Sequence, residues 1–257
     1  MDEQLPVVLA TCAQDIRRQA GFEVSQERLN PAEIIVYDGL RVVTPVRAVF
    51  FEMRYAASVS DAMVAMDMAA FSDLVSLEEE GEYIVAHPGW TGVPQARAVH
   101  PWCDENSWSP WETRLREVWT RAAGMPRPSC NLPVFDLDGR LVGTPDLIDV
   151  EHGVIGQYEG AVHLVGQQRR VDVELEHAYR QVGLECLPVV VDDFRNRGQL
   201  IDRIHQTYAR AARRRERRLW TAVPPRWWTP TETVDQRRSL SGALREAVLT
   251  RRRWIAS

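Results

Sequence analysis

The feature that most constrains this chain is the stretch Gly143 to His163, which reads GTPDLIDVEHGVIGQYEGAVH. It joins two apolar runs, Leu141 to Val150 and Val154 to Tyr158, across Glu151-His152-Gly153, a tight-turn composition. Adjacent strands of one hairpin are the expectation. Each run is punctuated by a carboxylate, Asp146 in the first and Glu159 at the end of the second. Cross-strand neighbours sit within a few ångströms of each other. Paired hard oxygens at that range are what a magnesium ion needs, because it is held through one or two carboxylates plus waters and substrate phosphate.

The 257 residues have room for two domains or one large one, and an apolar fraction of 45% is that of a globular chain. There is no run of 18 uncharged apolar residues, so no membrane span is expected, and the opening Met-Asp-Glu-Gln is no signal peptide. Cys12, Cys103, Cys130 and Cys186 are far apart and read as buried free thiols of a reducing cytoplasm. All 31 basic residues are arginine, which points to a GC-rich genome, actinobacterial or phage. The net charge of −5 is uneven: Arg203 to Ser257 holds fourteen arginines against four acids, about +10, leaving about −15 on the remainder. A basic end on an acidic body points to a polyanion partner, DNA first.

Along the first half, Leu5 to Ala20 has helical spacing. Ile34 to Tyr37 and Leu40 to Val43 flank Asp38-Gly39, a strong hairpin signal. Thr44-Pro45 starts a helix to Tyr55, Ser60 caps another to Phe71, and Ser76-Leu77-Glu78-Glu79 is a capping box. Ala86 to Trp108 reads as an irregular linker ending near Asn106. In the second half, Ser109-Pro110-Trp111-Glu112 opens a helix to Ala123. Strands follow at Leu132 to Phe135, Leu141 to Asp146 and Val154 to Glu159, then a helix from Arg169 to Val182, a strand from Leu184 to Val191, and a helix from Gln199 to Leu219. The fold class expected is α/β (α+β): a mixed four-stranded sheet flanked by helices over residues 107–219. A smaller, mainly helical domain with a short hairpin occupies 1–106, and a basic extension with Trp227-Trp228 occupies 220–257. The two tryptophans are expected to pack back onto the domain, and Ser239 to Arg253 to form a short basic helix.

This order, with carboxylates in the second and third strands, resembles the PD-(D/E)XK endonuclease fold, in its very-short-patch-repair-like branch. Residues 39 to 218 also resemble actinobacterial AbiEi-type antitoxin or regulator proteins. The shared motifs are Ser109-Pro110-Trp111-Glu112-Thr113-Arg114-Leu115-Arg116, Val142-Gly143-Thr144-Pro145-Asp146, Gln157-Tyr158-Glu159-Gly160-Ala161-Val162-His163 and Arg169-Arg170-Val171-Asp172, with Gly39 to Arg47 upstream. The resemblance implies a restriction-endonuclease-like fold with catalytic Glu112, Asp146, Glu159 and His163. Asp146 and Glu159 would bind Mg²⁺ or Mn²⁺, and His163 would move a proton. It departs at Gln157, where the family has glutamate, and at the superfamily lysine, since the chain has none. Arginine stays protonated and cannot act as base in its place.

Each residue also has a structural explanation: a capping box for Glu112, a strand-end turn for Asp146, a loop charge for Glu159 and a hydrogen-bonded polar role for His163. The expected function is a DNA-binding protein with an endonuclease-like domain, a Mg²⁺-dependent DNA endonuclease if active. The alternative is an inactive transcriptional regulator, antitoxin or phage immunity repressor with a toxin or other protein as partner. A protein-interaction module is the third reading. Arg213, Arg214, Arg215, Arg217, Arg218, Arg251, Arg252 and Arg253 are the expected contacts to DNA phosphate.

Overall fold

A computed structural model describes residues 7–11, 16, 17, 19–160, 167–214 and 217–256, with backbone alone at 167–172, 249 and 251–256. The chain divides into two compact units, Met1–Ala48 and Val49–Ser257.

The first unit is built from strands. β1 (Val7–Ala10) pairs in parallel with β2 (Phe22–Ser25), Val7 opposite Phe22. The helix expected over Leu5 to Ala20 is therefore overturned where β1 lies. Val7-Val8-Leu9 is too short to fix a period, and pairing with a distant segment decides its state. The Asp38-Gly39 hairpin forms as expected: β3 (Ile34–Tyr37) and β4 (Leu40–Val43) are antiparallel. Asp38 (φ 49°) and Gly39 (φ 78°) supply the two left-handed positions of a tight hairpin turn.

Helix α1 (Pro45–Tyr55) leads into the second unit. Helix α2 (Val59–Phe71) is capped by Ser58 and not by Ser60, because it is Ser58 Oγ that accepts the Asp61 amide at 3.1 Å. The Ser76–Glu79 capping box forms at the head of α3 (Leu77–Ala86), with reciprocal bonds of 3.1 and 2.7 Å. Residues 86–108 are no linker. They contain α4 (Val93–Val99) and a 3-10 turn at His100–Trp102, and Val93, Ala96 and Val99 are buried. Gln95 explains the docking: its amide donates to the carbonyls of Met53 and Ala56 at the end of α1. Helix α2 then packs on α5 (Pro110–Glu117), with Asp67 accepting from Arg116 and from Thr113 Oγ1. Residues 49–106 thus share one packed unit with the segment that follows, and the boundary falls after Ala48, not at 106.

The larger unit is mixed α/β. Its strands are β5 (Ser129–Cys130), β6 (Val134–Asp136), β7 (Leu141–Gly143), β8 (Leu147–Asp149) and β9 (Val154–Glu159). After α6 (Gln167–Val182) come β10 (Glu185–Val190), α7 (Arg197–Arg213) and β11 (Trp220–Thr221). A four-stranded mixed sheet has the order β10-β9-β8-β5, with β10 parallel to β9 and the other pairs antiparallel. Its membership differs from expectation: β6 and β7 join β11 in a separate antiparallel sheet. The strand expected over Leu141 to Asp146 breaks at Thr144-Pro145, where Pro145 has no N–H for a ladder and the chain crosses from one sheet to the other. Alternation along β8 and β9 sends Leu147 and Val154 to a core with Leu115, Trp119 and Leu200, and Ile148 and Ile155 to a second core with Tyr179 and Leu184. Helices therefore cover both faces of the sheet.

Helix α7 ends at Arg213, short of Leu219. Beyond β11 the helix expected over Ser239 to Arg253 forms as α9 (Gly242–Ala256), preceded by a short helix that was not expected, α8 (Val234–Ser239). Trp227 and Trp228 pack edge-on against Phe135, at 5.8 and 5.3 Å between ring centres, as anticipated. Arg237 is fully buried and fastens the extension to Asp73 at 2.6 Å and to the carbonyls of Ala70 and Glu105, with a further bond inside the extension to the Thr231 carbonyl. Cys103, Cys130 and Cys186 are free and buried. Among the described residues, no helix is long and apolar enough to cross a membrane.

Candidate functional site

The β8–β9 hairpin sets the geometry. Leu147 faces Gly156, so one step outward Asp146 lies across from Gln157. Asp146 Oδ2 accepts the Tyr158 amide at 2.6 Å, and Oδ1 accepts Gln157 Nε2 at 3.4 Å. The neutral amide that departs from the resembled motif is thus the direct cross-strand neighbour of Asp146, and its N–H donates to the carboxylate. Gln157 Oε1 is buried and, among the described residues, accepts no hydrogen bond. Glu159 ends β9, exposed, on the same face of the strand as Gln157. His163 lies outside the described residues.

Glu112 stands at the first turn of α5, where Ser109 Oγ accepts its amide at 3.2 Å. The reciprocal arm of the expected capping box reaches one residue further back, since Glu112 Oε2 accepts from Trp108 N at 2.8 Å. Asn131 Nδ2 donates to the same oxygen at 2.6 Å. The side chain is 94% removed from solvent, and that burial raises its pKa, favouring the neutral acid. Asn131 holds the two ends of the site together: its backbone N–H donates to the Asp146 carbonyl at 2.9 Å while its side chain binds Glu112. It does so from φ 45°, a left-handed position that asparagine tolerates better than most residues. Asn106 braces it from below, donating to the carbonyls of Cys130 and Asn131.

Two further groups border the hairpin. Tyr179 of α6 is almost fully buried, its hydroxyl has no hydrogen-bond partner among the described residues, and burial with the Asp146 charge pushes its pKa well up. Tyr158 stacks on Trp111 at 5.5 Å. At the turn end of the hairpin, buried Asp149 accepts from Tyr208 Oη at 2.7 Å and pairs with His152 Nδ1 at 2.9 Å. Sequence reasoning missed Asn131, Tyr179 and Asp149. Asp149 alone carried a signal, standing next to the predicted turn; the other two gain their roles only from contacts across the fold.

The arginines divide. Arg213 and Arg217 are exposed near the end of α7. Arg214 is paired with Glu185 at 2.6 Å. Arg218 lies 3.6 Å from the Trp220 ring centre and donates to the Val150 carbonyl. Arg215 lies outside the described residues, as do the side chains of Arg251, Arg252 and Arg253, whose backbone is part of α9.

The donor set fits magnesium poorly. Asp146 has an amide donor from Gln157 where the resembled motif has glutamate, and one oxygen of Glu112, Oε2, is taken by Trp108 and Asn131. Among the described residues, no three His, Cys, Asp or Glu side chains gather as a metal-binding group. No protein-family model, curated protein or solved structure matches this chain.

Proposed function

We propose that the chain is a DNA-binding regulator, antitoxin-like or repressor-like, built on a restriction-endonuclease-like core that does not cut. The observation that carries this reading is the hydrogen bond from Gln157 to Asp146. An amide that donates to the aspartate satisfies it without a cation and leaves the site, with Glu159 as its second carboxylate, one negative charge short of the resembled motif for holding Mg²⁺ or Mn²⁺. The commitment of Glu112 to Asn131 points the same way. The element order of α5, the hairpin strands, α6, β10 and α7 is the support for the endonuclease-like core. The support for DNA is electrostatic: a segment of about +10 charge, with Arg213 and Arg217 exposed on it.

Two measurements on one protein preparation test the proposal. Fluorescence anisotropy with a labelled duplex across a salt series should give binding whose log affinity falls linearly with log salt. Incubation of the same protein with supercoiled plasmid and Mg²⁺ or Mn²⁺ should leave the plasmid intact. Nicking that disappears in Asp146→Ala would replace this reading with an active nuclease, and absence of duplex binding at low salt would remove DNA from it.

A further inference from the structure

The first unit, Met1–Ala48, is short of a core. Among its described residues Arg47 alone is buried, and no apolar side chain is. A unit this short buries only about 60% of its unfolded surface even when well packed. An isolated two-stranded hairpin is marginally stable in water unless one face is covered. The β3–β4 hairpin has such a face.

Register sorts its side chains into two sets. Ile35 lies opposite Val42 and Tyr37 opposite Leu40, so these four share one face; Ile34, Val36, Arg41 and Val43 share the other. The first face is apolar throughout and carries no charge. Tyr37 is 72% exposed, Leu40 68%, Ile35 40% and Val42 39%. Together they show on the order of 400 Å² of contiguous surface, the size of the largest apolar patch on a whole monomer, gathered here on one hairpin.

We propose that this face is covered by the same face of a second copy of the chain. Area supports that occupant. Two such faces bury about 800 Å² of apolar surface, and because homodimer interfaces are about 65% apolar, the whole contact is about 1,200 Å², the lower edge of the range for a specific complex. Shape supports it as well. The two prominent side chains, Tyr37 and Leu40, flank the turn, and the two recessed ones, Ile35 and Val42, stand farther from it. A twofold axis across the strands sets the turn end of one hairpin over the open end of the other, prominent on recessed, which is the self-complementarity that an isologous interface requires. Charge does not oppose it: the net −5 of each copy lies outside the face, and exposed charges are screened within about 8 Å at physiological salt. The inference stands apart from the DNA-binding reading, and its test contains no nucleic acid.

The experiment is sedimentation velocity of the full chain from about 1 to 200 µM, which should show monomer giving way to dimer with a Kd on the order of 10 µM for a contact of this size. Tyr37→Asp sets a charge into the face and should weaken the dimer on the order of a hundredfold. Leu40→Glu repeats the test from the other strand. Val36→Asp adds the same charge at a position that is also 72% exposed but on the opposite face, and it should leave the dimer unchanged. Thermal melting checks that each variant folds. A chain that stays monomeric at the highest concentration overturns the proposal. So does a dimer that survives both Tyr37→Asp and Leu40→Glu, or one that Val36→Asp weakens equally.

Discussion

Gln157 and Asp146 face each other across the β8–β9 hairpin, and the amide of the first donates to the carboxylate of the second at 3.4 Å. One methylene-conserving change, Gln157→Glu, would put two carboxylates in that position. Without metal they repel, because like charges directly opposite each other on neighbouring strands are destabilising. The variant should therefore melt below the wild type in chelator, by on the order of 1 kcal/mol, and recover in millimolar Mn²⁺. Differential scanning fluorimetry with and without Mn²⁺ reads this directly. An equal response of both proteins to the metal would mean that position 157 does not control the site.

Glu80 carries a different kind of cost. It is fully buried, both carboxylate oxygens lack hydrogen-bond partners among the described residues, and burial pushes its pKa up to about 8. The folded state keeps the proton after the unfolded chain has released it, so the unfolded state binds fewer protons between the ordinary glutamate value and about pH 8. Stability from this group is thus full below that window and is lost as pH rises through it. Glu80→Gln removes the titration. The stability gained over wild type should be larger at pH 8 than at pH 5, by on the order of 2 kcal/mol. Urea melts at the two pH values measure the difference; a gain that is the same at both would show that Glu80 ionises normally in the folded chain.

The Asp67–Arg116 pair joins α2 to α5, with both side chains buried and Asp67 also accepting from Thr113 Oγ1 and from Asp104 N, each at 2.7 Å. Removing one partner strands a buried charge. Asp67→Ala should cost roughly 3–5 kcal/mol, whereas the double change Asp67→Leu with Arg116→Met should cost much less. Chemical denaturation of both variants distinguishes the cases, and equal losses would show that the pair contributes through packing alone.

Arg237 has the strongest claim to hold the extension in place. Its four bonds reach Asp73, Ala70, Glu105 and Thr231, and none of the residue is exposed. Arg237→Ala should leave the sheet core intact while speeding amide hydrogen exchange in residues 223–240 by at least tenfold. Exchange that accelerates throughout the second unit would instead make the extension part of one cooperative core.

Much of the local structure follows from the sequence by itself. The Asp38-Gly39 turn, the start of α1 at Pro45, the Ser76–Glu79 box, the Ser109 cap and strand β9 each rest on bonds between residues within about four positions, or on the alternation of one short run. Tertiary structure decided the rest. Leu141 to Asp146 looks like one strand, yet only Leu141 to Gly143 forms one: the ladder breaks at Thr144-Pro145 and the chain resumes as β8 in the other sheet. Gly143, at the end of β7, has no room for a side chain beneath Tyr179 and Leu175 of α6, a restriction imposed from residues more than thirty positions away. Glu112 reads as a cap or a catalytic acid until Asn131, just past the end of β5, donates to it. Segments 86–108 and 220–248 look like linker and tail because their anchors, Gln95 and Arg237, bind carbonyls that carry no sequence signature. Short-range hydrogen bonds leave a pattern in the residues that make them. Long-range packing is settled by which surfaces lose the most water together, and that is decided only once the whole chain has folded.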